Sequence, residues 1–240
     1  MIKIEKVEVS GWEAAVRGMR NPMNSWDKSD TEFVVADFDE DLYYSCGITG
    51  DYECCDDVDN DFTVLDGVCM GFKIGPNDLD LMKRLAAGGS THAKYRRFIL
   101  VTMDITAPLY WWKEFDTYKV GTVANSCSTM HKIHAKPFEP DDFSHEHLDV
   151  TALGELNRVI DILNLYRGRF VAGGKSKQDW WQMIQLLPSS YNQKRTVLLN
   201  YEVLHHIYFD RKDHKLDEWH RLCEAIEAMP YSEIMTMKEN

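Results

Sequence analysis

Cysteine is scarce in this chain. Six occur in 240 residues, at positions 46, 54, 55, 69, 127 and 223, and no Cys-x-x-Cys pair is among them. Thiols this sparse exclude a disulfide scaffold and point to reduced cysteines in a cytoplasm. No apolar run approaches the roughly 20 residues of a membrane-crossing helix. The opening residues Met1–Ser10 alternate like a strand and lack the apolar stretch of a signal peptide. Absent too are a Gly-x-Ser-x-Gly elbow, a Walker loop, a Gly-x-Gly-x-x-Gly turn and a His-Glu-x-x-His helix. Gly88-Gly89 and Gly173-Gly174-Lys175 are too short to cradle phosphates on their own. Basic residues are outnumbered, 27 against 39 acids, for a net charge of -12. The excess is local, because Asp27–Asp66 holds 14 acids and one base, Lys28, leaving 25 acids and 26 bases elsewhere. No basic face is available to bind a nucleic-acid polymer by counterion release, and a membrane partner is not expected. A small anionic ligand needs only a few cations in one pocket.

The composition that is present, 44 % hydrophobic and 12 % aromatic, is that of a chain able to bury a core. One domain over 1–240 is expected, with an acidic insert at about 27–66. Ile2, Ile4, Val7 and Val9 suggest an opening strand, and the next run is helical until it breaks at Asn21-Pro22. That helix carries Arg17 and Arg20 one turn apart, before a polar stop at Asn24, Ser25 and Trp26. Phe33–Ala36 and Leu42–Ser45 read as strands inside the acidic region. The tract Asp56–Asp61 imitates a calcium loop, but Phe62 and Val68 stand where an EF-hand needs Gly and Glu, so a solvated loop is the reading.

Beyond Gly75 the signals sharpen. A helix starts at Pro76, shows Leu79, Leu81, Met82 and Leu85, and ends at Gly88-Gly89. Arg97–Thr106 predicts a buried strand, and Pro108 opens a helical turn that carries Tyr110, Trp111 and Trp112. Those aromatics can stack a ligand ring, fill the core or cover a subunit interface. Thr151 is the expected cap of a helix with Leu153, Leu156, Val159, Ile160 and Leu163 on one face. Ser176 and Asp179 predict a capping box ahead of Trp180–Leu187, and two more helices are expected over Tyr191–Phe209 and Lys215–Met229. The class is α/β (α+β), a mixed sheet flanked by long helices.

Two stretches carry polar chemistry. Asp116–Lys132 gathers Asn125, Ser126, Ser128 and Thr129, short donors of the kind a phosphate or a pyrimidine edge needs, although a polar turn would look the same. In Leu187–Arg211, the residues Asn200, Glu202, His206 and Arg211 interrupt an otherwise apolar run, where unpaired polar groups are costly. His145 and His147 flank Glu146 in an acidic loop and read as surface residues, with no metal site expected.

At this point the chain resembles the flavin-dependent thymidylate synthase (ThyX) family. Leu187-Pro188, eleven residues and then Asn200, Glu202, His206 and Arg211 follow that family's spacing of Leu-Pro, Asn-x-Arg, His or Asn, and Arg, with Glu202 in place of the first Arg. Trp219 resembles the Trp of the family's next helix. Upstream, His92 resembles the His of a His-x-Ser element, with Lys94 where Ser is usual. Asn125 and Ser128 match the Asn and Ser of the signature, whereas Asp116, Thr117 and Tyr118 stand for its Arg-His-Arg and Met130 for its last Arg. The likeness covers about Gly75–Met229.

The resemblance implies a ThyX-like fold and a pyrimidine deoxynucleotide monophosphate as ligand. It implies FAD as cofactor, with folate and NADPH only if synthase chemistry is retained. It also implies a homo-oligomer, a tetramer, with active sites formed between subunits. The signature cations hold the flavin and the nucleotide in that family. Here Lys119, His131 and Lys132, or Lys94, Arg96 and Arg97, would have to substitute, without the fork geometry of Arg where Lys is used. The implied nucleotide or flavin contacts are Arg20, Asn24, His92, Lys94, Arg97, Tyr118, Lys119, Asn125, Ser126, Ser128, Thr129, His131, Asn200, Glu202, His206 and Arg211. Two readings of Glu202 stand side by side. It selects an amine-bearing ring such as cytosine, because a carboxylate accepts and cannot donate. Or it pairs with Lys94, Arg97 or Lys194 and meets no ligand. The function is then that of a divergent synthase-like enzyme or of a non-catalytic nucleotide-binding relative, a sensor or phage-type accessory protein. An unrelated α/β protein is the third reading.

Overall fold

The computed structural model describes residues 2–35, 43–44 and 70–239. The Asp56–Asp61 tract, most of the acidic insert and the cysteines at 46, 54, 55 and 69 lie outside the described residues, as do Ala36, Leu42 and Ser45 of the two strand-like pieces. In chain order the elements are β1 (Lys3–Ser10), α1 (Trp12–Arg20), β2 (Glu32–Val35), β3 (Tyr43–Tyr44), β4 (Met70–Lys73), α2 (Pro76–Ala87), β5 (Leu100–Pro108), α3 (Leu109–Phe115), β6 (Val123–Ser126) and α4 (Thr129–Lys132). Then follow α5 (Val150–Ala172), α6 (Lys177–Leu186), β7 (Asn192–Asn200), α7 (Tyr201–Arg211), α8 (Asp217–Glu227) and α9 (Glu233–Thr236). A four-stranded antiparallel sheet runs in the order β1-β5-β7-β6. A second, three-stranded sheet runs β2-β4-β3, with Glu32 opposite Lys73 and Tyr43 opposite Phe72. The α/β class expected from the sequence is the class observed.

The described residues pack as two compact units. The first comprises Met1–Lys3, Asp104–Lys119 and Ala124–Thr196. Its core joins Leu156, Ile160, Leu163 and Phe170 of α5 to Met183 of α6 and to Ile133, Phe138 and Phe143. That is the stripe the heptad-like spacing predicted. Asp149, rather than Thr151, caps α5, its carboxylate accepting from the Ala152 N–H. Asp is the stronger cap here because an ionised acceptor also meets the positive end of the helix dipole. At α6 the Ser176 side chain makes no capping hydrogen bond, so the expected capping box does not form. Trp111, Trp112 and Phe115 of α3 are buried against one another, with ring centroids 4.9–5.2 Å apart. Trp111 and Trp112 are therefore core rather than a stacking platform, and Tyr110 beside them is half-buried.

The second unit comprises Ile4–Met103, Val120–Val123 and Val197–Asn240. Trp12 anchors it, touching Phe72, Tyr201 and Tyr231 at ring distances of 5.3–5.5 Å. The turn before α1 requires Gly11. Its φ is +90°, and a Cβ there would sit 2.0 Å from the carbonyl oxygen of Phe98.

Two boundaries differ from expectation. The strand starts at Leu100, because Lys94–Arg97 coil into a 3-10 turn closed by the Phe98 N–H on the Tyr95 carbonyl. The helix expected over Tyr191–Phe209 is instead the strand β7 followed by α7. Gln193, Val197 and Leu199 alternate inward along β7, a period-two pattern that outcompetes the helical one. Asn200 then turns the chain, its extended backbone and side-chain acceptor capping α7 at the Val203 N–H.

Candidate functional site

The cap at Asn200 places the site residues of α7. Within the second unit, Val120–Val123 packs on this cap. Gly121 has φ +78°, and a Cβ there would lie 3.1 Å from Asn200 Nδ2 and 3.2 Å from Val203 Cγ2. Glycine lets the polar segment approach the helix start this closely. In the first turn of α7, Glu202 is buried, as is Arg96 in the turn before β5. Arg96 Nε donates to the Ile234 carbonyl at 2.8 Å. Its Nη1 lies 3.5 Å from Glu202 Oε2 and 3.4 Å from Glu239 Oε1. On the other side of the carboxylate, Arg97 Nη2 is 3.8 Å and His206 Nε2 3.6 Å from Glu202 Oε1, both side chains more than half exposed (56 % and 53 %). Among the described residues neither Glu202 oxygen accepts a hydrogen bond, and Arg96 Nη2 makes none. Glu202 is thus held by charge alone, beneath a rim of two exposed side chains. Burying a carboxylate costs several kcal/mol, which is the reason cations crowd it.

His205, next on the helix, faces the other way. Its Nδ1 meets the Met235 carbonyl at 2.6 Å and its Nε2 the Glu239 carboxylate at 3.1 Å. Burial holds this imidazole below its ordinary range, against the pull of the Met235 carbonyl. Burial likewise raises the Tyr95 phenol, which donates to the Met82 carbonyl.

Of the residues named from sequence, Arg97, Glu202 and His206 come together here, and Asn200 stands at the head of their helix. Lys94 and His92 are exposed in the chain just before Arg97. Arg211 lies over the Trp219 ring at 4.6 Å. Arg20 is buried elsewhere in the unit, with Nε on Asp78 at 2.6 Å and Nη1 on the Ser25 carbonyl. It lines a cleft of about 170 Å³ with Glu13, Val16, Arg17, Trp26, Ser29 and Thr31. Asn24, exposed, takes the left-handed backbone that ends the turn after α1.

In the first unit, Asn125 and Ser126 are exposed on β6, and Ser128 caps α4 by accepting from the His131 N–H. Thr129 is the first residue of α4, and Lys119 and His131 are exposed. Tyr118 is half-buried, in the turn after α3. Lys194 pairs with Asp104 at 2.9 Å, not with Glu202.

Arg195 was missed by sequence reasoning, and Arg96, named only as a substitute cation, was missed as a partner of Glu202. Arg195 Nη1 pairs with Asp116 at 2.7 Å, and its guanidinium lies 4.1 Å over Trp112. The signal was an arginine in register with an acid on another element, which spacing along one chain does not reveal. Among the described residues, no group of three or more His, Cys, Asp or Glu is placed to hold a metal ion, and no helix is long and apolar enough to cross a membrane.

No protein-family model matches the chain, and no curated protein matches it in sequence. Solved structures do. The flavin dependent thymidylate synthase ThyX from Helicobacter pylori, complexed with FAD and dUMP, aligns over 98 % of both chains with a TM-score of 0.61 at 15 % identity. A second structure of that enzyme with FAD and dUMP aligns over 99 % of this chain and 100 % of the other, again at 0.61, with 14 % identity. The UMP/dUMP methylase PolB from Streptomyces cacaoi, bound with 5-Br dUMP, aligns over 98 % of this chain and 95 % of its own with a TM-score of 0.57 at 13 % identity. The fold is therefore ThyX-like.

The FAD of the Helicobacter structures raises the question of donors. At the four places that the resemblance pairs with the signature this chain has Asp116, Thr117, Tyr118 and Met130. Asp116 is engaged by Arg195, Thr117 donates its hydroxyl to the Glu114 carbonyl, and the Met130 carbonyl accepts from Trp180 Nε1. None of the four is a cation, so this donor set does not fit a flavin pyrophosphate held as the resemblance implies.

Proposed function

We propose that this chain binds a pyrimidine nucleoside monophosphate through the head of α7 and the Val120–Val123 segment, without depending on the signature cations. The observation that carries the reading is the meeting of Gly121 with Asn200 in one unit. It sets Val120–Val123, from the polar stretch before β6, on the cap of α7, and the fold is shared with proteins crystallised with dUMP and 5-Br dUMP. Glu202, buried and ion-paired, is better suited to hold cations than to read a base edge. The protein is a homo-oligomer in this reading, a tetramer, and exposed Ile162, Leu165 and Val171 on α5 are apolar side chains that a second copy would cover.

Calorimetric titration with dUMP and dCMP tests the binding. Saturable heat with either nucleotide at micromolar to millimolar concentration is the expected result, with the two affinities within about threefold of each other. Absence of binding by both would overturn the reading. The absorption spectrum of the purified protein separates binding from flavin chemistry. A flavin band that persists through gel filtration would favour the synthase-like enzyme, and its absence together with nucleotide binding would favour the non-catalytic relative.

A further inference from the structure

We infer that Glu202 is a positioning residue that holds Arg97 and His206 side by side as a rim for the oxyanion of a phosphomonoester. Position 202, where the resemblance expects a cation, carries an acid, and a cation stands beside it at position 97. Three observations support this. Glu202 Oε1 is shared by Arg97 Nη2 at 3.8 Å and His206 Nε2 at 3.6 Å, so these two nitrogens are no more than about 7.4 Å apart. Donors at that separation can each reach a different oxygen of one phosphate at about 2.8 Å. Both side chains are more than half exposed, whereas the carboxylate beneath them is buried, so the ligand meets the guanidinium and the imidazole and not the acid. The buried side of the carboxylate is backed by Arg96, itself fixed by the Ile234 carbonyl and Glu239, so the anchor cannot swing outward to neutralise its partners fully.

The pairing gives each side chain of the rim a job. A lone guanidinium on a mobile stem loses side-chain entropy when it grips an anion, and a carboxylate that already restrains it lowers that cost. His206 sits one helical turn from Glu202, so the backbone of α7 fixes its approach. The identity of the ligand as a nucleotide rests on the function proposed above, but the rim itself does not.

Titration of dUMP, deoxyuridine and inorganic phosphate into the wild type, Arg97→Gln, His206→Asn, Glu202→Gln and Glu202→Asp tests the assignment. Arg97 and His206 are exposed, so their variants should fold as the wild type does. Arg97→Gln should weaken dUMP at least about tenfold and His206→Asn about threefold, with deoxyuridine affinity unchanged in both. Glu202→Gln should weaken dUMP by an intermediate factor, again sparing deoxyuridine, and Glu202→Asp should restore part of the loss. A merely structural role for Glu202 would lower both ligands alike. Unchanged dUMP and phosphate affinities in Arg97→Gln would overturn the rim even if the nucleotide binds. Should no pyrimidine nucleotide bind while inorganic phosphate binds the wild type and not Arg97→Gln, the rim stands and the nucleotide reading falls.

Discussion

Asp78 offers the sharpest test of how the second unit is held together. Its side chain is fully buried and accepts from Arg20 Nε at 2.6 Å, from the hydroxyls of Ser29 and Thr31 at 2.7 Å, and from the backbone N–H groups of Asp30 and Thr31. Arg20 is itself 5 % exposed. Asp78→Asn preserves shape but leaves a buried guanidinium without its counter-charge and turns an amide N–H₂ toward donors. Breaking a buried pair from one side costs about 3–5 kcal/mol. For a chain of this length each kcal/mol moves Tm by about 2–4 °C, so the variant should melt roughly 6–20 °C lower at pH 7. Replacing both partners, Asp78→Leu with Arg20→Met, should recover most of that loss, because no orphaned charge remains. Differential scanning calorimetry decides it, and an Asp78→Asn Tm within about 2 °C of wild type would refute the argument. The pH dependence has a definite sign. Burial raises the Asp78 pKa, but hydrogen bonds from Thr31, Ser29 and Arg20 and the Arg20 charge outweigh it, leaving the carboxyl below its ordinary 3.8. The unfolded chain therefore takes up the proton first. The stability is fully present above about pH 4 and is lost as pH falls through the lowered folded value. The gap between wild type and Asp78→Asn should narrow only below about pH 4.

Gly121→Ala should cost about 1–2 kcal/mol, since φ +78° strains any L side chain and the new methyl meets Asn200 and Val203 at 3.1–3.2 Å. An unchanged urea midpoint would contradict that contact. Asn200→Ala removes the α7 cap and should destabilise by about 1 kcal/mol, with Asn200→Asp recovering most of it in the same urea titration. Light scattering should return a mass several times the 27.9 kDa of one chain, and a value equal to one chain at micromolar concentration would rule out the oligomer.

What the sequence made legible is what periodicity encodes. The apolar stripe of α5, the opening strand, the Gly-ended α2 and the Trp219 helix all follow from local spacing, and all are present. The failure at Tyr191–Phe209 has a physical cause. Val197, Leu198 and Leu199 are compatible with either period, and tertiary pairing beside β5 settles the choice. Asn200, which reads as one polar residue on a helix, is in fact the cap where strand becomes helix. Arg97 was legible as a partner of Glu202. Arg96 was not, because adjacent residues in a 3-10 turn can point one into the core and one into solvent, and no spacing rule distinguishes them before the turn is known.

The two reversals of sign, at Asp116 and Glu202, explain how a degenerate motif and an intact fold coexist. Each acid stands where the resemblance expects arginine, and each has drawn a guanidinium from another element. In the first unit Asp116 takes Arg195, which is only 15 % exposed, lies over Trp112 and donates its Nε to Gln193. That guanidinium is absorbed into the wall of the unit, and its contribution is packing. In the second unit Glu202 takes Arg96 inward and Arg97 outward, so one cation is spent on the core while the other remains in solvent. The fold needs neither exchange, since its cores are built from Leu156, Ile160 and Leu163 in one unit and Trp12, Phe72 and Tyr201 in the other. Stability alone is served by a pair such as Asp116–Arg195, whose guanidinium is packed under a half-exposed carboxylate. A half-exposed arginine fixed at its base by a buried carboxylate adds little to stability, because exposed ion pairs contribute roughly 0–1 kcal/mol. Arg97, not Arg195, is therefore the guanidinium with something left to bind.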